Sequence, residues 1–171
     1  IHYLTDQYGE TEITLRGRSG ESHADFPLKI TVNPVNDPPF SADNTVETDE
    51  DVAYTFKIAD FNYSDIEDDA FAGIQIITTA TAGELTHDGA AVSAGAGYTD
   101  VSKLLFTPGP DETGNPYASF TYKVKDAAGA FSDSAYTMNI TVINVNDAPV
   151  LMTHMPDTMI HENTLLEFDY Q

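Results

Sequence analysis

Two short stretches of the chain have the side chains to hold a cation. They are Asn36-Asp37, followed by Pro38-Pro39, and Asn146-Asp147, followed by Ala148-Pro149. Each offers a carboxylate and an amide carbonyl, the hard oxygen donors of which calcium takes roughly six to eight. Both close a phrase that the chain writes twice, Ile30-Thr31-Val32 to Asn36-Asp37 and Ile140-Thr141-Val142 to Asn146-Asp147, with a spacing of 110 residues from Asn36 to Asn146. In each copy an alternating strand runs into the Asn-Asp pair and is stopped by proline, which cannot donate to a sheet ladder and stiffens the exit. The oxygens therefore stand at a joint between repeated units about the length of one β-sandwich domain.

The charge balance points the same way. Seven Lys and Arg stand against 28 Asp and Glu, a net charge of −21 on 171 residues. Such a surface repels nucleic acid and anionic lipid, so neither is expected as a partner. Nine Tyr, nine Phe and a hydrophobic share of 41% describe a folding chain and not an acidic disordered tail. Packed carboxylates repel one another unless something neutralises them, which again favours calcium. Without cysteine the chain has no disulfide, thiolate site or sulfur nucleophile. No stretch reaches the length of an apolar membrane span, and Ile1 opens without a basic and apolar signal region, so the sequence reads as an excerpt with no membrane insertion of its own.

Period-2 alternation sets out the elements that must position these residues. Thr11 to Val32 reads as two strands around a turn at Arg16 to Ser22, the tail of a preceding repeat spanning 1–35. Residues 36–146 read as a complete repeat. Its strands are expected at Thr45 to Glu50, along Val52, Tyr54, Phe56 and Ile58, and at Ile74 and Ile76. A Gly-rich segment from Gly83 to Gly97, Leu104 with Phe106, Phe120 to Val124 and Tyr136 to Val142 complete the set. About seven short strands with one apolar face each require two packed antiparallel sheets. Residues 147–171 read as the first strands of a following repeat, because Glu162, Leu166 and Phe168 repeat the pattern of Glu50, Tyr54 and Phe56.

The whole chain in this register resembles the cadherin-like tandem repeats of large bacterial surface proteins, of the RTX adhesin and biofilm-associated type. The linkers Val35-Asn36-Asp37-Pro38 and Val145-Asn146-Asp147-Ala148-Pro149 are similar to the cadherin Asn-Asp-X-Pro linker. Asp65-Ile66-Glu67-Asp68-Asp69 is similar to the acidic loop between the second and third strands, and Asp126-Ala127-Ala128-Gly129 to the turn between the last two. His161-Glu162-Asn163, and more weakly Asp49-Glu50-Asp51, resemble the Glu-Asn element of the first strand. The resemblance implies an all-β fold of tandem Ig-like, cadherin-like Greek-key sandwiches joined by calcium-binding linkers. Two departures stand out: Gly17 aligns with Asp126 in the first fragment, and no Leu-Asp-Arg-Glu motif is present.

In that topology the Asp65 to Asp69 loop and the Asp126 turn share the pole where the first linker enters. Asn36, Asp37, Asp65, Glu67, Asp69 and Asp126 are thus expected around one calcium joint, and Glu50, Asn146, Asp147 and Glu162 around the next. Asp111 and Glu112 belong to the second pole by position, although no family motif covers them. The plain alternative is that these acids are solvated loop residues whose turns exist for backbone reasons.

An enzyme is not expected. His2, His23, His87, His154 and His161 are scattered without zinc spacing, and the glycines follow no phosphate-loop pattern. The reading is an extracellular, cell-surface adhesion segment that extends or adheres, with neighbouring repeats, like repeats on other chains or surface glycans as partners. The alternative is a carbohydrate- or protein-binding module using Tyr63, Tyr98 and Tyr117.

Overall fold

A computed structural model describes residues 6–149 and Glu162. The expected strands around Ile160 to Phe168 lie outside the described residues, apart from Glu162, which is exposed in a turn.

The first two strands, β1 (Gly9–Ser19) and β2 (Ser22–Val32), form a two-stranded antiparallel hairpin. Its turn is tighter than the Arg16 to Ser22 segment, since pairing continues to Ser19 opposite Ser22 and Gly20 takes the left-handed φ of +63°. Ile13 faces Leu28 and Leu15 faces Phe26, while Arg16 makes a two-pronged ion pair with Asp25 on the opposite face.

Residues 40–143 form a sandwich. One sheet has the order β3 (Asn44–Asp49), β11 (Tyr136–Ile143), β10 (Gly114–Asp126), β5 (Phe71–Thr78) and β8 (Gly97–Tyr98). The other runs β4 (Tyr54–Thr55), β9 (Leu104–Thr107), β6 (Glu84–His87) and β7 (Ala90–Ala91). Two 3-10 turns, Ile58–Phe61 and Val101–Lys103, are the helical content among the described residues, and no helix there is long and apolar enough to cross a membrane.

The core follows the alternation. Phe120, Tyr122, Val124, Met138, Ile140, Ile74, Ile76, Leu104 and Phe106 are buried to within 1%. Two expectations need correction. The Gly-rich segment gives three short strands, of which β8 crosses to the other sheet, because glycines at positive φ (Gly83, Gly89 and Gly95) turn the chain repeatedly. The Val52 to Ile58 strand shrinks to Tyr54–Thr55. Phe56 is buried, but Val52 and Ile58 are exposed, since the chain leaves the ladder and curls so that Phe61 can enter the core beside Phe56 and Tyr122.

Strand direction matters most for the linkers. β3 pairs parallel with β11, Val46 opposite Ile140, so the chain enters the sandwich at one pole and leaves at the other.

Candidate metal centre at the repeat joints

At the entry pole the linker is pinned before it reaches β3. Phe40 and Ser64 exchange backbone hydrogen bonds of 2.7 and 3.0 Å, which tie the linker exit to the acidic loop. Asn36 Nδ2 donates to Asp126 Oδ2 at 2.9 Å and to its neighbour's carbonyl, Asp37 O, at 3.1 Å. Asp37 N–H donates to Glu67 Oε2 at 3.2 Å. The linker thereby joins the Asp65 loop and the Asp126 turn, three elements far apart in sequence.

Each acid is oriented by its own backbone. Asp65 Oδ1 accepts from the N–H groups of Glu67 and Asp69 at 2.9 and 3.1 Å, an Asx arrangement that folds the loop over its first residue. Asp126 is fully buried, and its Oδ1 accepts from the N–H groups of Gly129 and Ala130. Burial alone would raise its pKa, but Asn36 and the turn N–H groups outweigh that and hold it below the usual carboxylate range. Glu67 moves the other way, pushed up first by burial and then by the nearby Asp37 and Asp65, against the relief from the Asp37 N–H. The Tyr63 hydroxyl is pushed up to about 12 by burial and by the fields of Asp65, Asp126 and Asp69.

One oxygen has no such support. Asp65 Oδ2 is buried and has no hydrogen-bond partner among the described residues. A buried carboxylate oxygen without donor or counter-ion costs the desolvation of that atom, so the arrangement favours a cation beside it.

Two residues missed in the sequence also reach this pole. Asp6 and Tyr8 line a cleft of about 310 Å³ with Pro34, Asp37 and Glu67, and Tyr8 shares a neighbouring cleft with Asn36 and Asp69. Strand register is what identifies Asp6. Gly9 lies opposite Val32 as Gly114 lies opposite Val142, which sets Asp6 on the place of Asp111. Both aspartates have left-handed φ, +60° and +55°. The same register corrects a smaller point: Ser19, and not Gly17, holds the place of Asp126, so the first hairpin still lacks that carboxylate.

At the exit pole, carboxylate oxygens of Glu50, Asp111 and Asp147 all lie within 4.8 Å of one another. Glu50 is only 4% exposed, and its Oε1 accepts from Asn144 Nδ2 at 2.9 Å and Val145 N–H at 2.6 Å, which fixes the outgoing linker against β3. Asp111 N–H donates to Asp51 Oδ1 at 3.2 Å. Asn146 Nδ2 donates to Asp147 O at 3.0 Å, the contact made by its counterpart Asn36. Glu112 stands apart from the trio and accepts from the Tyr117 hydroxyl. Glu162 is exposed, with no hydrogen bond to these residues described.

The three tyrosines considered for ligand stacking are all engaged. The Tyr63 hydroxyl donates to Asp69 O, Tyr98 accepts from Ser93 N–H, and Tyr117 accepts from Gly109 N–H while it donates to Glu112. His87 lies against Tyr98 with Nε2 at 2.8 Å from Asp100 O, an internal packing role.

Comparison with known proteins agrees with the fold. The chain is 29% identical over 135 residues to Integrin beta-like protein E of Dictyostelium discoideum, a match that covers 78% of this chain and 7% of that protein. The chain thus spans a small fraction of the relative's length. No solved structure matches. Residues 36–141, nearly the whole sandwich with its incoming linker, match the family described as bacterial Ig domain, which is typical of surface and adhesion proteins. The chain therefore belongs to the bacterial Ig domain family.

Proposed function

We propose that this chain is a structural and adhesive segment of an extracellular surface protein, built as cadherin-like repeats whose joints are stiffened by calcium. The observation that carries the reading is the buried Asp65 Oδ2, without a hydrogen-bond partner among the described residues, in a loop that Glu67 ties to Asp37 while Asn36 ties the same linker to Asp126. All donors there are oxygens, the set that a hard cation takes and that zinc or copper does not favour.

The residues that would hold the ion at the first joint are Asp6, Asp37, Asp65, Glu67, Asp69 and Asp126, with Asn36 orienting Asp126. At the second joint they are Glu50, Asp111 and Asp147, completed by the following repeat. Each joint combines the exit pole of one repeat with the entry pole of the next, which is why Asp6 and Asp111 occupy equivalent places. Bound calcium would neutralise the repelling carboxylates and tie linker to loop, converting a hinge into a rod. The similarity to a protein named for integrin β fits an adhesive setting.

Isothermal titration of the chain with calcium tests the proposal. Saturable heat that disappears in Asp65→Asn supports it, and the absence of any calcium heat in the parent chain removes it.

A further inference from the structure

Two lysines of the sandwich stand without a counter-charge. The chain has 28 acids to seven bases, and Lys103 is ion-paired with Asp88, yet Lys123 and Lys125 have no ion pair among the described residues. The Lys123 ammonium donates to the Asp133 carbonyl at 2.9 Å, and that of Lys125 lies 5.3 Å from the centre of the Phe131 ring. A carbonyl and an aromatic face hold an ammonium in place without neutralising it.

Strand alternation sets both lysines on one surface. Along β10 the buried Phe120, Tyr122 and Val124 face the core, so Ser119, Thr121, Lys123 and Lys125 share the outer face of the five-stranded sheet. Along β3 the buried residues are Val46 and Thr48, so the exposed Thr45, Glu47 and Asp49 lie on that same face. The face therefore carries two cations two residues apart on one strand and two carboxylates two residues apart on another. They occupy opposite ends. Lys125 adjoins Asp126 at the entry pole, whereas Asp49 pairs with Ile143 at the exit pole. Between them Ser119 pairs with Asn139, Thr121 with Thr137 and Thr45 with Asn139, all short and uncharged. Asp43, at the margin, accepts from the Thr137 N–H at 2.7 Å.

We infer that this face binds the same face of a second copy in a two-fold contact, Lys123 and Lys125 of each copy meeting Glu47 and Asp49 of the other. In an isologous contact a patch is its own partner. A surface with cations at one end and carboxylates, equal in number and spacing, at the other is complementary to itself when turned end for end. Two chains of net charge −21 repel at long range, and a contact that sets every one of these cations against a carboxylate offsets that repulsion where they touch.

Size fits the same partner. Four strands about 4.8 Å apart and eight residues of about 3.3 Å each give roughly 500 Å² per copy, the range of a weak, transient contact. Such contacts become useful when many units act together. All of the residues lie within the sandwich and none is assigned to a joint, so the inference goes beyond the calcium proposal and stands without it.

Sedimentation velocity over a concentration series tests it, at low and high sodium chloride, in calcium and in chelator. The parent chain is expected to sediment faster as its concentration rises, less so in high salt, and alike with and without calcium. Lys123→Glu with Lys125→Glu leaves carboxylates at both ends, and Glu47→Lys with Asp49→Lys leaves cations at both ends. Each double variant is expected to lose the concentration dependence. The second also lowers the net negative charge, so its failure to associate separates a specific contact from general repulsion. Mixed in equal amounts, the two variants are expected to form a dimer, since their ends now match in both directions. A parent monomeric at every concentration, either variant associating as the parent does, or no dimer in the mixture overturns the inference. Association that disappears in chelator also overturns it, by placing the contact at the joints. A monomeric parent retained on heparin through Lys123 and Lys125 would put an anionic glycan in place of the second copy.

Discussion

Asp65 concentrates the chemistry of the entry pole in one side chain. Its Oδ1 is spent on holding the loop, and its buried Oδ2 has no hydrogen-bond partner among the described residues. Asp65→Asn keeps an oxygen for the loop and removes the charge. In chelator it should melt no lower than the parent, while the stabilisation by calcium should vanish. For the parent, calcium at a hundredfold excess over its Kd should add about 2.7 kcal/mol. That corresponds to roughly 10 °C for a domain of this size, readable by differential scanning fluorimetry. Glu67 gives the pH signature. Its folded pKa lies above its unfolded one, so without a cation its ionisation weakens the fold. The penalty is absent below the ordinary carboxylate range and complete once the pH passes the raised value. Glu67→Gln should therefore raise the melting temperature in chelator at neutral pH and lose that advantage in acid. Asp126 has the opposite sign: its stabilisation is present above the ordinary range and lost as the pH falls through its depressed pKa.

Among the elements, the close approach of β5 and β8 is the most exacting. Gly73 sits at φ +140°, and a Cβ there would meet the Tyr98 carbonyl oxygen and come within 2.9 Å of Thr99 Cα. Gly73→Ala should cost about 2–4 kcal/mol from backbone strain and overpacking, seen as a lower urea midpoint at an unchanged m-value. That approach was not legible in the sequence, because β8 is two residues long and owes its place to Ile74 pairing with Tyr98 rather than to any pattern of its own. The long strands were legible, since Phe120 to Val124 and Met138 to Val142 alternate cleanly and one face must be buried. Val52 and Ile58 misled for the same reason: their alternation is real, but Phe61 and its 3-10 turn compete for the core and win. The joint was half legible. The doubled Asn-Asp and, by position, Asp111 are named from the sequence, whereas Asp6 lies in a turn whose left-handed backbone gives no periodic signal and is matched to Asp111 by strand register.

For the whole molecule the proposed joint turns on residues 33–39. Pro34, Pro38 and Pro39 already restrict that linker, and the Phe40–Ser64 bridge anchors its far end, so it is semi-rigid before any ion binds. What remains free is the pivot between Pro34 and Asp37, where Asn36 and the Asp37 N–H make two side-chain contacts to the sandwich. Two hydrogen bonds worth about 1 kcal/mol each favour the held arrangement by roughly thirtyfold and leave a small open population. An ion shared by Asp6 on the hairpin side and by Asp37 and Asp65 on the sandwich side would span the pivot and remove that freedom. Small-angle scattering on the chain at low concentration reads this effect. Calcium should sharpen the distance distribution toward one elongated shape, and chelator should broaden it. Asp6→Asn should weaken the response at this joint, while Asp111→Asn, at the opposite pole, should leave it intact. A response lost equally in both variants would mean that the ion acts on the sandwich as a whole and not on the joint.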